Sequence, residues 1–115
     1  MLNSIIALII SYLLGAIPFG LIIVKVFTGK DIRAVASGRT GGTNAMRAAG
    51  LWAGILTGAL DILKGVATGW VTGWVAPENI WLRVAAAIFA IIGHNYSIFL
   101  IEKREKGGFR LRGGA

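Results

Sequence analysis

Long apolar segments separated by short polar stretches form the main pattern of the chain. Residues 1–24 carry no charged side chain, and these 24 positions exceed the roughly 20 that a helix needs to cross a bilayer core. The pattern predicts a transmembrane helix over about residues 3–27. Gly15, Pro18 and Gly20 in its second half predict either a simple kink or a bend that admits a ligand.

The middle of the chain has two uncharged stretches, residues 48–60 and 65–77, which flank Asp61 and Lys64. Each stretch has 13 residues and is too short to span a bilayer alone. Together they predict one membrane crossing, with Asp61 and Lys64 inside the bilayer. A re-entrant helix in the first half is the alternative, and the pattern leaves both open.

The last apolar run covers 18 uncharged residues, 84–101, and predicts a crossing over about 80–101. A tight turn at residues 77–79 precedes it and contains no Lys or Arg. The chain is therefore expected to cross the membrane about three times. The fold class predicted is all-α, a polytopic integral membrane helical bundle in one domain over residues 1–115.

The distribution of charge predicts the orientation of this bundle. Residues 28–47 and 102–115 each carry a net charge of +3, out of +7 for the whole chain. Cytoplasmic loops of membrane proteins are enriched in Lys and Arg. Both basic segments are therefore predicted on the cytoplasmic side, and the N-terminus and the 77–79 turn on the outside.

The composition excludes several classes of protein. Hydrophobic residues make up 56% of the chain, charged residues 15%, and the mean hydropathy is +0.73. A soluble monomer of this size could not bury so much apolar surface, and disordered chains are poor in apolar residues. Cysteine is absent and histidine occurs once, so no metal site is expected. Basic segments between apolar runs favour membrane lipid over nucleic acid as a partner.

A glycine-rich segment between the first two apolar regions has the composition of a phosphate-binding loop. Its glycines let backbone N–H groups approach a ligand, and Thr43 or Asn44 suits the N-cap of a following helix. A helix N-terminus attracts anions, and Arg39 and Arg47 add positive charge. A basic loop attracted to lipid head groups is an equal alternative. The segment contains Ser37, Gly38, Arg39, Thr40, Gly41, Gly42, Thr43 and Asn44.

Two further groups of polar residues lie within the apolar regions. Asp61 and Lys64 are three residues apart and therefore share a helical face. They form either a structural ion pair or a pair of groups that bind an anionic substrate. His94 and Asn95 follow Gly93 in the last run. His94 is either a packed side chain or the chain's one ready candidate for a general base.

The motifs of this chain resemble those of a known family. The first comprises residues 15–20, Lys30 to Arg33, Ser37 to Asn44, and Arg47; the second is residues 60–65 and the third residues 93–97. They are similar, in order and spacing, to motifs of the bacterial acyl-phosphate-dependent glycerol-3-phosphate acyltransferases, the PlsY family.

The resemblance implies a seven-helix enzyme of the bacterial inner membrane with a cytoplasm-facing active site, of which this chain is an N-terminal piece. Such an enzyme transfers an acyl group from acyl phosphate to the 1-hydroxyl of glycerol 3-phosphate, and releases lysophosphatidic acid and phosphate. It needs no metal or other cofactor. Its other partners are membrane lipid and the remaining helices. A small non-enzymatic membrane module that binds anionic lipid or a partner is the alternative.

The resemblance also implies roles for particular residues. His94 and Asn95 orient the glycerol hydroxyl or support the loop, and the first and third crossings flank the acyl chain. Arg39 stands where the family usually has Asn, and Ala115 where it has a substrate-binding Lys. The expected catalytic residues are Ser37, His94 and Asn95. The expected substrate-binding residues are Gly38, Arg39, Thr40, Gly41, Gly42, Thr43, Asn44, Arg47, Asp61, Lys64, Gly113 and Gly114.

Overall fold

A computed structural model describes residues 1–114, and the prediction for Ala115 lies outside the described residues. Five helices are followed by a two-stranded antiparallel sheet, with a short 3-10 turn at Ile32–Ala34. The helices are α1 (Leu2–Ala16), α2 (Phe19–Thr28), α3 (Gly42–Ala49), α4 (Leu51–Val75) and α5 (Ile80–Asn95). The strands are β1 (Ser97–Lys103) and β2 (Phe109–Arg112).

The first apolar segment is broken where the sequence predicts a kink. Ile17 adopts an extended conformation and separates α1 from α2, because the residue before a proline is disfavoured in a helix and Pro18 has no N–H to donate. The Ile17 carbonyl accepts hydrogen bonds from Phe19 N at 3.1 Å and from Lys64 Nζ at 3.0 Å. Leu2–Thr28 as a whole is long and apolar enough to cross a membrane.

The middle apolar region forms one continuous helix. α4 has 25 residues and is also long and apolar enough to span a membrane, which agrees with the single-crossing alternative; a re-entrant first half would need a break that this continuous helix does not have. Its buried face contains Thr57, Thr68 and Thr72 besides Lys64. The Thr68 and Thr72 hydroxyls donate to carbonyls of their own helix, which satisfies these polar groups in an apolar setting.

Glycines allow α1 and α5 to pack at backbone contact. A Cβ on Gly15 would overlap the Ala90 carbonyl, and a Cβ on Gly93 would overlap the Tyr12 carbonyl. Small residues at helix interfaces permit this close approach in membranes. The contact places the C-terminal end of α5, with His94, against the break between α1 and α2.

We expect Gly93→Ala to separate α1 from α5 and to lower the unfolding midpoint of the chain in detergent. The added methyl group meets backbone atoms, which cannot rotate away, and overpacking typically costs about 1–3 kcal/mol. Thermal unfolding followed by circular dichroism would measure the shift. Gly69→Ala is the matched control, because within residues 1–114 nothing outside its own helical turn lies within 4 Å of a Cβ at that position. Equal midpoints for the two variants would contradict this packing.

The last apolar run is not helical throughout, and the predicted crossing over 80–101 is too long. α5 ends at Asn95, and the chain continues as β1, which pairs with β2 from Ser97↔Arg112 to Lys103↔Phe109. Ser97 is buried and its hydroxyl donates to the Ala16 carbonyl at 2.6 Å. This long-range contact fixes the start of the strand beside the end of α1.

A small apolar core anchors the loop between α2 and α3. Ile23 and Val24 of α2 pack with Ile32 of the 3-10 turn and with Ala45, Ala48 and Ala53 of the following helices. A Cβ on Gly20 would overlap the Thr40 carbonyl, so α2 also lies directly against the glycine-rich loop. The loop is therefore held by packing on two sides before the hairpin reaches it.

Candidate functional site

The glycine-rich loop ends at the N-terminus of α3. The helix begins at Gly42 with Gly41 as its N-cap, so the predicted N-cap at Thr43 or Asn44 is wrong by two or three residues. Gly41 is extended, and its carbonyl accepts the first helical hydrogen bond from Ala45 N at 3.0 Å. The N–H groups of the first turn therefore have no acceptor within the helix and form an anion-attracting end.

A cavity of about 290 Å³ lies at this helix end. It brings together most of the residues predicted to bind phosphate, including both arginines. Thr40, which is buried, is not among its lining residues. The lining residues are Ser37, Arg39, Gly41, Gly42, Thr43, Asn44, Arg47 and Gly114.

Asn44 shapes the loop from beneath. Asn44 is only 2% exposed. Its Nδ2 lies 2.9 Å from the carbonyl oxygens of Val35 and Arg39 and 3.2 Å from that of Ile32. A side-chain amide has two N–H donors, and both face loop carbonyls. The side chain therefore has no donor left for a phosphate oxygen, and it acts by holding the loop in shape.

The end of the hairpin closes over the loop. Thr40 N donates to the Gly113 carbonyl at 3.2 Å, and Gly114 N donates to the His94 carbonyl at 2.9 Å. A Cβ on Gly41 would overlap the Gly114 carbonyl, and one on Gly113 would overlap the His94 carbonyl. The structure thus joins the first and third motifs, and brings the predicted Gly113 and Gly114 to the loop.

Two arginines that the sequence analysis did not place in the site lie beside it. Arg110 and Arg112 line a second cavity of about 380 Å³ together with Ser37, Arg39 and Asn95. Arg112 Nη2 donates to the Ser37 carbonyl at 3.3 Å. The alternation of Phe109, Arg110, Leu111 and Arg112 is the signal that could have predicted a strand with both arginines on one face.

Glu102 holds these two arginines in place. Its carboxylate lies 3.0 Å from Arg110 Nη2 and 3.2 Å from Arg112 Nη1. Burial alone would raise the pKa of the Glu102 carboxyl, but hydrogen bonds from Arg112 and Arg110 outweigh it and hold that pKa below its ordinary value. The carboxylate stays charged at neutral pH and aligns the arginines along the edge of the cavity.

Asp61, Lys64 and His94 form a separate cluster. Lys64 Nζ lies 2.9 Å from Asp61 Oδ1 and 3.1 Å from His94 Nδ1, so the predicted ion pair is present and includes the histidine. The cluster lies at one end of a cavity of about 540 Å³, with apolar walls from α4 and α5 that include Ile62, Val66 and Ile91. The structure does not bring Asp61 or Lys64 into the loop cavity.

Asp31 fastens the start of the loop. It accepts a hydrogen bond from Arg33 N at 2.9 Å and pairs with the Arg33 guanidinium at 2.9 Å. The side-chain hydrogen bonds from Arg33 lower the pKa of Asp31 from 3.8 to about 2. Because this pKa is lower in the folded chain, the contact stabilises the loop above pH 3.8 and is lost as the pH falls toward 2.

We expect the Arg33 amide to exchange slowly at pH 5 and to lose protection as the pH falls from 3.8 toward 2. Hydrogen exchange referenced to the intrinsic rate at each pH would measure this. Asp31→Asn keeps an acceptor oxygen but does not titrate, so its protection should be independent of pH over that range. The same pH dependence in both proteins would show that another group controls the loop.

Known proteins are similar to this chain in sequence. A family model described as glycerol-3-phosphate acyltransferase matches residues 5–113. A glycerol-3-phosphate acyltransferase of Lactococcus lactis is 44% identical over 108 residues, which cover 94% of this chain and 49% of that protein. One from Solidesulfovibrio magneticus is 40% identical over 100 residues, which cover 87% of this chain and 50% of that protein.

Solved structures agree with the sequence comparison. The integral membrane glycerol 3-phosphate acyltransferase PlsY, in its glycerol 3-phosphate form, matches with a TM-score of 0.78 and 32% identity over 96% of this chain and 50% of that chain. Its lysophosphatidic acid form matches with a TM-score of 0.73 and 29% identity over the same shares. The predicted polytopic membrane bundle is confirmed. The chain spans about half the length of the relatives that it matches.

Proposed function

We propose, because the chain belongs to the glycerol-3-phosphate acyltransferase family, that it forms the N-terminal half of an enzyme that acylates glycerol 3-phosphate. The donor is acyl phosphate, and the products are lysophosphatidic acid and inorganic phosphate. This half supplies phosphate binding and the cytoplasmic surface of the active site. The remaining helices of the whole protein close the site and contribute further groups.

The cavity at the N-terminus of α3 is the observation that carries the proposal. Free N–H groups of the helix end, Arg39 and Arg47 converge there with the Ser37 and Thr43 side chains. Both substrates carry a phosphoryl group, and charge-assisted hydrogen bonds to phosphate are among the stronger contacts in proteins. Arg110 and Arg112 extend the positive surface into the adjoining cavity, which provides room for a second phosphoryl group.

The apolar cavity between α4 and α5 supports a position for the acyl chain. Its walls are aliphatic, Gly15 of α1 lines it, and His94 stands at its polar end. An acyl chain in this groove would have its carbonyl near the end of α5. In this assignment α1 and α5 flank the acyl chain, as the sequence analysis expects of the first and third crossings, and α4 forms a third wall.

The reaction requires mainly positioning and charge stabilisation, because acyl phosphate is already activated. The 1-hydroxyl oxygen of glycerol 3-phosphate bonds to the acyl carbon, and the bond from that carbon to the phosphate oxygen breaks. The hydroxyl proton passes to the departing phosphate. Positive groups around the loop stabilise the charge that moves from the carbonyl oxygen to phosphate.

The orientation follows from the distribution of charge. We place the chain in the bacterial inner membrane, with the N-terminus and the turn before α5 outside and the loop, α3 and the hairpin in the cytoplasm. Glu78 and Glu105 are both exposed. The single variants Glu78→Cys and Glu105→Cys should therefore react with an impermeant thiol reagent from opposite sides of the membrane. The chain contains no other cysteine. Labelling of both from one side would contradict the three crossings.

The donor can be tested by release of phosphate. We expect the whole protein in lipid to release phosphate from palmitoyl phosphate only when glycerol 3-phosphate is present. Palmitoyl-coenzyme A should not replace palmitoyl phosphate as the donor. Transfer from the thioester, with none from acyl phosphate, would contradict the proposed donor. Binding of anionic lipid without any transfer would favour a non-enzymatic membrane module.

A further inference from the structure

Lys64 is a buried lysine in a membrane helix, and three polar atoms of the protein lie within hydrogen-bond distance of its Nζ. These atoms are Asp61 Oδ1 at 2.9 Å, the Ile17 carbonyl oxygen at 3.0 Å and His94 Nδ1 at 3.1 Å. An ammonium group has three donors and no acceptor. The side chain is only 6% exposed, so Lys64 is fully occupied within the protein.

This arrangement determines how the neighbouring imidazole is protonated. A proton on His94 Nδ1 would face the ammonium group at 3.1 Å, and the Asp61 Oδ1 atom is 3.9 Å away, beyond hydrogen-bond distance. A neutral Lys64 could accept such a proton, but it would leave the Asp61 carboxylate without a counter-charge inside a membrane helix, which is expensive. The charged lysine therefore requires a lone pair on Nδ1.

We propose that Lys64 is a positioning residue that holds His94 as the neutral tautomer with its proton on Nε2. The ammonium reaches α5 from α4 and is itself fixed by the Ile17 carbonyl, which lies at the break between α1 and α2 and also accepts from Phe19 N at 3.1 Å. Two helices and this break thus set one hydrogen-bonding state of the only histidine in the chain.

The protonated edge of His94 then faces the hairpin end of the site. Gly114 packs directly against this edge, and a Cβ there would overlap the imidazole at Cε1 and Nε2, so only a glycine fits where the hairpin meets the loop. With Nδ1 occupied and Nε2 protonated, His94 has no site left to accept a proton. It acts as a hydrogen-bond donor to an oxygen of the substrate rather than as a general base; this step rests on the proposed function, whereas the tautomer does not.

The tautomer can be read directly by ¹⁵N NMR of the chain labelled in histidine and reconstituted in lipid at pH 8. The single histidine gives one pair of ring signals. We expect Nε2 to carry the proton and Nδ1 to show the shift of an unprotonated, hydrogen-bonded nitrogen. In Lys64→Met the hydrogen-bond shift at Nδ1 should vanish, and the minor tautomer should rise about tenfold, because a charged donor is lost.

Lys25→Met is the matched control. Lys25 donates only to Gly29 at the exposed end of α2, so the His94 signals should not move. If Lys64→Met fails to fold, ¹⁵N–¹⁵N distance measurements on the unmutated chain should still place Lys64 Nζ nearer to Nδ1 than to Nε2. A proton on Nδ1, or ring signals unchanged in folded Lys64→Met, would overturn the proposal.

The donor role has its own readout in the whole enzyme. His94→Gln supplies an amide N–H near the position of Nε2 and cannot act as a base. It should therefore retain activity that His94→Ala loses by about tenfold or more, with the pH–rate profile unchanged in shape. Equal losses in both variants, together with removal of the acidic limb, would show that His94 is a base. That outcome would contradict both the donor role and the proposed tautomer, because a base needs a free lone pair, whereas the proposed reaction is tested separately by phosphate release.

Discussion

Arg47→Ala is expected to reduce acyl transfer by the whole protein by about tenfold to a hundredfold, which corresponds to losing one charge-assisted hydrogen bond to phosphate. Arg47 lies in the last turn of α3, and its side chain lines the cavity at the N-terminus of that helix. Phosphate release and formation of lysophosphatidic acid should fall together, because the arginine serves the phosphoryl group and not the proton transfer. Steady-state kinetics with both products measured would test this.

Arg83→Ala is the control for Arg47→Ala. Arg83 is near the start of α5 and donates to the Pro77 carbonyl at 2.8 Å, far along the chain from the loop. Its removal lowers the net charge by the same amount and should leave the turnover unchanged. Normal turnover by Arg47→Ala would remove that residue from the site. Equal losses in both variants would mean that overall charge, rather than the cavity, controls activity.

Gly41→Ala is expected to have an effect at least as large, through the backbone. The added Cβ would overlap the Gly114 carbonyl and push the hairpin end away from the loop. A displacement of about 1 Å at a catalytic site can lower the rate by about a hundredfold. Turnover should fall by this order while the protein stays folded, because the overlap lies in the half-buried contact between the loop and the hairpin end and not in the helix packing.

Gly58→Ala provides the comparison for Gly41→Ala within the same chain. In the part of the chain that the structure describes, no neighbouring element lies within 4 Å of a Cβ at Gly58, and alanine favours the helix. Hydrogen exchange at the Thr40 amide, which donates to Gly113, should increase in Gly41→Ala and remain slow in Gly58→Ala. Full activity of Gly41→Ala would show that closure of the hairpin over the loop is not required.

The hydrophobic pattern predicted where the long apolar helices lie, but it left open whether residues 48–77 form one helix. The break at Pro18 and the turn before α5 follow from local features, which are a missing N–H and a short polar stretch. The pattern could not predict the end of α5, since the apolar run continues through Ile101 without interruption. The change from helix to strand depends on Ser97 binding the Ala16 carbonyl, a contact between residues 81 positions apart.

The candidate site was predictable only in part for the same reason. Glycines and arginines next to a helix indicated the phosphate cavity by composition. The role of Asn44, whose side chain holds the loop carbonyls in place, depends on burial that the sequence does not reveal. The contact of Lys64 with His94 also joins distant segments, 30 residues apart.

The most direct test of the central claim is acyl transfer by a completed protein. Residues 1–114 would be fused to the part of the Lactococcus lactis relative that follows its matching region, and lysophosphatidic acid would be measured with palmitoyl phosphate and glycerol 3-phosphate. We predict product that depends on both substrates and falls at least about tenfold in Arg47→Ala. A folded, membrane-inserted fusion that forms no lysophosphatidic acid, or one whose activity is indifferent to Arg47, would contradict the account.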